Sequence, residues 1–259
     1  MLFQDVNTLI FSANKKKKGQ LYHPPLLQPY APPTSPSPIY IDALGSRNAP
    51  QGFGTASFFV GQIPVALARG IICKYHYSRR VVNNSYLHLG VFLDGALCGV
   101  LQLGYALCPA RAGKVVTGTV QGQYLELNRM WLSDAAPRNS ESRAISYTIK
   151  YIRQACPQVA WIQSFADERC NGLGVVYQAA NFLYVGSHKT EFYALDGETY
   201  HEMLLTTHQK NGQRGRYLVD NLHRATKHSF KQFRYLYFLK KDWQKRLNFP
   251  ILPYPKRAA

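Results

Sequence analysis

The stretch PRNSESRA, Pro137 to Ala144, follows a strand-like run, LELNRMWL, and opens a helix-like one. A helix start presents unpaired backbone N–H groups and the positive end of its dipole. Asn139 and Ser140 stand at that start, and Ser142, Arg138 and Arg143 surround it with hydroxyls and charge. Such a set can hold a pyrophosphate, and it equally suits a well-capped helix. In KYHYSRR, His76 sits between two tyrosines, where packing and ligation are both open. Asp167 closes SFAD at the end of a strand-like run. Open α/β sheets present functional groups there, and aspartates also cap turns there. Gly172-Leu173-Gly174 leads to Tyr177. Imidazole, carboxylate and phenol together could hold iron through nitrogen and hard oxygen; spacing alone does not bring them together.

These residues need elements to position them. Ile63 to Tyr75 reads as a helix with Pro64 in its first turn. YLHLGVFLDGALCGVLQLGY reads as a hairpin around Asp94-Gly95. A strand over 121–132, a helix from Ser140 to Cys156 and a buried strand VAWIQSFAD follow. Gly172 to Phe182 reads as a second helix, and FLYVGS as a returning strand. A hairpin followed by strands alternating with helices implies an α/β fold with a mixed sheet. Residues 1–52 read as an arm, with a lysine run at 15–18 and seven prolines between Pro24 and Pro38. Residues 53–205 read as the core, and 206–259 as a basic, aromatic extension packed on it.

The chain has 259 residues, 31 Lys and Arg against 14 Asp and Glu, and a net charge of +17. That balance points to a polyanionic partner, nucleic acid above all. The extension holds 13 Lys or Arg against Asp220 and Asp242. Its rings, among them Tyr235, Tyr237 and Trp243, interleave cations that could meet phosphates. Five scattered cysteines without a CxxC pair argue against a zinc ribbon and a disulfide framework, and fit a reducing cytoplasm. No apolar run is long enough for a membrane span, and the opening segment lacks the order of a signal peptide.

LELNRMWLSDAAPRNSESRAISYTIKYI, SFADERCNGLGVVYQAANFLYVG and RYLYFLKKDWQKRLNFPILPYPK, with KYHYS and the hairpin upstream, resemble the Mom family in order over about residues 55–257. The resemblance implies a GNAT-like mixed β-sheet with helices on both faces. It implies an enzyme that adds a carbamoylmethyl (acetamido-type) group to the exocyclic amine of adenine in double-stranded DNA, shielding phage DNA from host restriction. The setting is the host cytoplasm, for a phage- or prophage-encoded chain; a homodimer is compatible with it.

The resemblance also assigns residues. His76 and Tyr77 match the family's active-site pair, Asp167 its essential aspartate and Tyr177 its motif tyrosine; these four are the expected ligands of iron. Arg129 and Ser142 match positions implicated in holding an acyl donor, acetyl-CoA or a related acyl-CoA, with Asn139 and Ser140 beside them. Two departures stand out. The usual acetyltransferase loop, QxxGxG or RxxGxG, is absent, and SFAD is followed by Glu168-Arg169-Cys170-Asn171-Gly172 where the family often has Gly-His and Gly.

A thioester's methyl carbon is not electrophilic, so a carbon–nitrogen bond there calls for redox chemistry, which an iron ion would supply. Glu126 is a candidate base for the adenine amine. Arg79, Arg80, Lys240, Lys241, Lys245 and Arg246 are candidate DNA contacts. An acyl-CoA-dependent N-acyltransferase of protein or RNA, and a non-catalytic DNA-binding protein, are the alternatives. An adenine methyltransferase ranks last, because no Gly-rich cofactor loop and no Asp-Pro-Pro-Tyr-like motif occurs.

Overall fold

The computed structural model describes residues 52–256 apart from 56, 107, 171, 207 and 208, so the expected arm lies outside the described residues except for Gly52. The chain divides into two compact units. The first holds the residues up to Ser164, Val176–Phe182 and Leu236–Phe249; the second holds Phe165–Val175, Leu183–Tyr235 and the residues from Pro250 on.

In the first unit the strand order is β1 (Gly52–Gly54), β2 (Phe58–Gln62), β3 (Ser85–Leu93), β4 (Ala96–Gly104), β5 (Tyr124–Leu132) and β6 (Trp161–Asp167), whose last three residues belong to the second unit. Neighbours from β1 to β5 pair antiparallel. β5 and β6 pair parallel, Tyr124 opposite Trp161 and Glu126 opposite Gln163. The sheet is therefore mixed, as expected. A parallel pair needs a crossover of a dozen or more residues, and helix α2 (Ser140–Ala155) supplies it. The β3–β4 turn sits where Asp94-Gly95 predicts it, with φ of 46° and 80°. A type I′ hairpin turn needs positive φ at both central residues, and Asp and Gly tolerate it.

Helices cover both faces of this sheet, and two adjacent phenylalanines record it. Neighbouring side chains on a strand point to opposite faces. Phe59 packs with Phe92 into the cluster under helix α1 (Val65–Tyr75), where Leu67, Ala68, Ile71 and Ile72 are buried. Phe58 points the other way and meets Tyr147 of α2, ring centroids 5.9 Å apart. Pro64 caps α1 rather than sitting within it.

The second unit contains β7 (Leu183–Leu195) and β8 (Glu198–His201), an antiparallel hairpin turning at Asp196-Gly197. Most of β9 (Thr226–Phe238) lies beside β7, and helix α4 (Gln213–Asp220) buries Leu218 against Leu195 and Tyr200.

Three sequence expectations are corrected. The helix expected over Gly172 to Phe182 shrinks to α3 (Val175–Ala179). Gly174 has φ of +75°, a Cβ there would overlap the Tyr235 ring, and Asn181 at φ 61° ends the segment. The strand expected over FLYVGS runs on to Leu195, passing through Gly186 at φ of 104° without a turn and ending at Asp196-Gly197. β2 was not anticipated; its two adjacent rings bury on opposite faces, so its pattern does not alternate. Among the described residues, no helix is long and apolar enough to cross a membrane.

Candidate functional site

The start of α2 opens onto a cleft of about 450 Å³ lined by Phe58, Arg138, Asn139, Ser140, Ser142 and Arg143 among others. Asn139 caps the helix at φ 68°, a left-handed conformation that asparagine tolerates better than most residues. Its side chain makes no capping bond, so the helix start is not closed off by its own cap. The Ser142 hydroxyl donates to the Asn139 carbonyl at 3.1 Å. Ser140 is buried, and the Arg143 guanidinium lies 4.4 Å over the Phe58 ring. Asp94, at the tip of the β3–β4 hairpin, also lines the cleft. The residues expected to hold an anion therefore line one concave surface, with two arginines and a helix start. Phe58 was not anticipated there, since only the tertiary fold brings β2 to α2.

His76 caps the C-terminus of α1, and its ring is buried. The Ser78 backbone N–H donates to Nδ1 at 3.1 Å, and Ser78 Oγ lies 2.8 Å from the same nitrogen. Nδ1 is thus an acceptor, and the neutral ring carries its proton on Nε2. Burial, followed by the positive charge of Arg129, pushes His76 down to about 3, so it stays neutral at physiological pH. Tyr77 is 59% exposed, with its ring 4.3 Å from the His76 ring. Arg79 follows at φ 48° and is exposed. The Arg80 carbonyl accepts Arg129 Nε at 3.1 Å, and Arg129 Nη1 donates to the Asn128 carbonyl at 2.7 Å. Arg129 therefore ties the loop after α1 to β5, and it is not among the residues lining the α2 cleft.

Glu126 lies on β5 at a rung of the parallel pair. Its carboxylate accepts Gln163 Nε2 at 2.7 Å and Asn128 Nδ2 at 3.2 Å. Gln163 is buried, and its Oε1 has no hydrogen-bond partner among the described residues. Tyr177 is buried too; burial raises its phenol while a bond with Ser164 opposes the rise, so the phenol keeps its proton. Gln163 and Ser164 escaped the sequence reading, although two polar residues inside the otherwise apolar run VAWIQSFAD were a usable signal.

Asp167 belongs to the second unit, and its carboxylate is held by Arg169. Oδ1 accepts the Arg169 backbone N–H at 3.0 Å and Nε at 3.1 Å; Oδ2 accepts Nε at 2.9 Å and Nη2 at 2.5 Å. The guanidinium in turn lies 3.7 Å over the Phe192 ring.

Two of the four expected iron ligands, His76 and Asp167, are engaged by other groups of the protein. Nδ1 of His76 accepts from Ser78, which leaves Nε2 as the nitrogen carrying the proton. Both oxygens of Asp167 are engaged by Arg169. Among the described residues, no group of three or more His, Cys, Asp or Glu is arranged to hold a metal ion.

Lys240, Lys241, Lys245 and Arg246 are all exposed, in and before the 3-10 turn Lys241–Arg246 of the first unit. Only Trp243 of that turn is buried, and Arg246 lies 4.5 Å over its ring.

Comparison with known proteins adds a lineage to this geometry. The model of the Mom protein family matches residues 57–256. The methylcarbamoylase Mom of Escherichia phage Mu is 57% identical over 208 residues, which cover 79% of this chain and 86% of that protein. Among solved structures, the ribosomal-protein-S5-alanine acetyltransferase from Vibrio fischeri aligns at 11% identity and a TM-score of 0.43, covering 74% of this chain and 98% of that one. An acetyltransferase of the GNAT family from Streptococcus pneumoniae aligns at 11% identity and a TM-score of 0.36, covering 61% and 68%.

Proposed function

This chain belongs to the Mom protein family, and on that premise we propose that it is a transferase attaching a carbamoylmethyl (acetamido-type) group to the exocyclic amine of adenine in double-stranded DNA. The observation that carries the reading is the 57% identity to a protein named methylcarbamoylase, spread over most of both chains. The net charge of +17 suits a polyanionic substrate. Modification of this kind would shield phage DNA from restriction in the host cytoplasm.

The α2 cleft supports an acyl-CoA donor. Arg138 and Arg143 line it beside the helix start, where the diphosphate of such a donor would gain both charge-assisted bonds and the helix dipole. An adenine amine in duplex DNA is paired, so the base must leave the stack at a cost of a few kcal/mol. Tyr77, exposed beside the His76 ring, offers an aromatic face to an unstacked base.

Glu126 is the residue assigned to take the proton from the amine. Gln163 and Asn128 hold its carboxylate in one orientation, which a positioned base requires. His76, neutral with its proton on Nε2, acts as a hydrogen-bond donor rather than a base. Joining the amine to a thioester's methyl carbon releases two electrons, so the reaction takes a one- or two-electron oxidant as co-reactant. Of its steps only the proton transfer is assigned to a residue, Glu126.

The test is expression in bacteria, followed by digestion of the DNA and mass spectrometry of the nucleosides. An adenosine heavier by one carbamoylmethyl group is expected, and it is expected to vanish with Glu126→Gln. Unmodified adenosine throughout, with folded protein present, overturns the reading.

A further inference from the structure

Two segments more than a hundred residues apart in sequence are locked together at one end of the first unit's sheet. The 3-10 turn Pro109–Lys114 leads into Val115 to Thr119, and the 3-10 turn Lys241–Arg246 leads into Leu247 and Asn248. A β-bridge joins Val116 to Leu247. The Thr117 N–H donates to the Arg246 carbonyl at 2.8 Å, and the Asn248 N–H to the Val115 carbonyl at 3.0 Å. Asn248 Nδ2 donates to the Lys114 carbonyl at 3.3 Å, and Thr117 Oγ1 donates to Asn248 Oδ1 at 3.0 Å. These bonds set the cations of one segment beside those of the other.

The result is a cluster of six exposed cations, Arg111, Lys114, Lys240, Lys241, Lys245 and Arg246, with Asp242 the sole acid in either turn. None of the six takes part in an ion pair among the described residues. Holding like charges together on rigid turns is unfavourable in the free protein, so the arrangement calls for a polyanion. Arg111 and Lys114 carry no nucleic-acid signal in sequence; only the bridge to Leu247 makes them part of the cluster.

We infer that this two-turn platform grips the phosphodiester backbone of duplex DNA, outside the site of chemistry. The inference rests on the proposed DNA substrate and adds where the protein holds it. The platform adjoins the amino ends of β5 and β6, since Leu239 and Lys240 donate their N–H groups to the Ala160 carbonyl and Trp161 Nε1 donates to Thr119 Oγ1. The α2 cleft lies beyond the carboxyl end of β5, roughly 30 Å away for a nine-residue strand. Contacts made there contribute affinity and no base specificity.

The test measures binding of a labelled DNA duplex of about two helical turns by the full chain at a series of salt concentrations, alongside adenine modification of the same duplex. Each phosphate contact contributes about 0.9 to the slope of log K against log salt. Replacing Lys240, Lys241, Lys245 and Arg246 by Gln is expected to flatten that slope by about 3 to 4, and Arg111→Gln with Lys114→Gln by about 2. Both variants are expected to raise KM for DNA and leave kcat unchanged. Lys150→Gln, an exposed cation on α2, is the charge control and is expected to change nothing. Melting curves identify a variant that fails to fold, in which case the Arg111 and Lys114 pair, outside the aromatic packing of the tail, decides. Unchanged slopes in folded variants overturn the platform while leaving adenine modification standing. Tight binding to phosphatidylglycerol vesicles with none to duplex also overturns it. If the unmodified chain leaves adenine untouched yet binds duplex with a slope that both variants flatten, the platform stands and the proposed chemistry falls.

Discussion

Glu126 and Gln163 face each other across a rung of the parallel β5–β6 pair, and the Gln163 amide donates to the Glu126 carboxylate at 2.7 Å. The two strands approach each other only because α2 carries the chain from one to the other. That relationship turns an ordinary strand glutamate into a carboxylate with a fixed orientation.

Glu126→Gln is expected to lower the rate of adenine modification about 10²- to 10⁴-fold, the usual weight of a positioned acid or base. Gln163→Leu leaves the carboxylate in place and removes its orienting bond. It is expected to cost about tenfold in kcat with little change in melting temperature, since the leucine also removes a buried acceptor that had no partner. Single-turnover nucleoside mass spectrometry reads both, and equal rates for all three proteins would dismiss the base assignment.

At the α2 cleft, Arg138→Ala and Arg143→Met together are expected to raise KM for acyl-CoA by about 10- to 100-fold, the range for losing charge-assisted bonds. Methionine keeps an aliphatic stem against Phe58, so the packing seen beneath Arg143 is largely spared. Isothermal titration with coenzyme A checks the same point without turnover. Unaltered affinity would place the donor elsewhere.

Asp167→Ala leaves the Arg169 guanidinium over Phe192 without its carboxylate partner. A loss of about 2 to 3 kcal/mol in stability is expected, as for a partly buried pair deprived of one member. Asp167→Asn, which keeps one acceptor oxygen, should lose less. Urea denaturation of the three proteins gives the ordering. Dialysis against EDTA is expected to leave the melting temperature unchanged, because the donors around His76 and Asp167 are already engaged; a drop of several degrees would reveal a structural metal ion.

His88 is buried on β3, with Gln102 Nε2 3.0 Å from its Nδ1. Burial, with help from the charge of Arg69, pushes its pKa down to about 4. Between that value and the unfolded value of about 6.5, the unfolded chain binds a proton that the folded chain refuses. Stability is therefore full above about pH 6.5 and falls as the pH drops towards 4, by up to about 3 kcal/mol from this group. His76, shifted the same way, adds to the loss with the same sign. Urea melts at pH 7.5 and 4.5 are expected to differ accordingly, and His88→Gln to shrink the difference.

Local chemistry made much of this protein readable from its residues. Asp94-Gly95 marks a hairpin because its backbone must take positive φ. The apolar spacing of Ile145, Ile149 and Ile152 marks α2, and the polar start of that helix marks residues that line a cleft. The order of elements sufficed for a mixed sheet with helices. What lay beyond reach depends on contacts between distant segments. The short α3 follows from the Tyr235 ring lying against Gly174, and the long β7 from its place beside β9 and β8. The bond between Gln163 and Glu126, the hold of Ser78 on His76 that fixes its tautomer, and the joining of Arg111 and Lys114 to the basic tail have no periodicity to betray them. Hydrogen bonds and charge clusters form where side chains meet in space, and spacing along the chain does not encode which ones will.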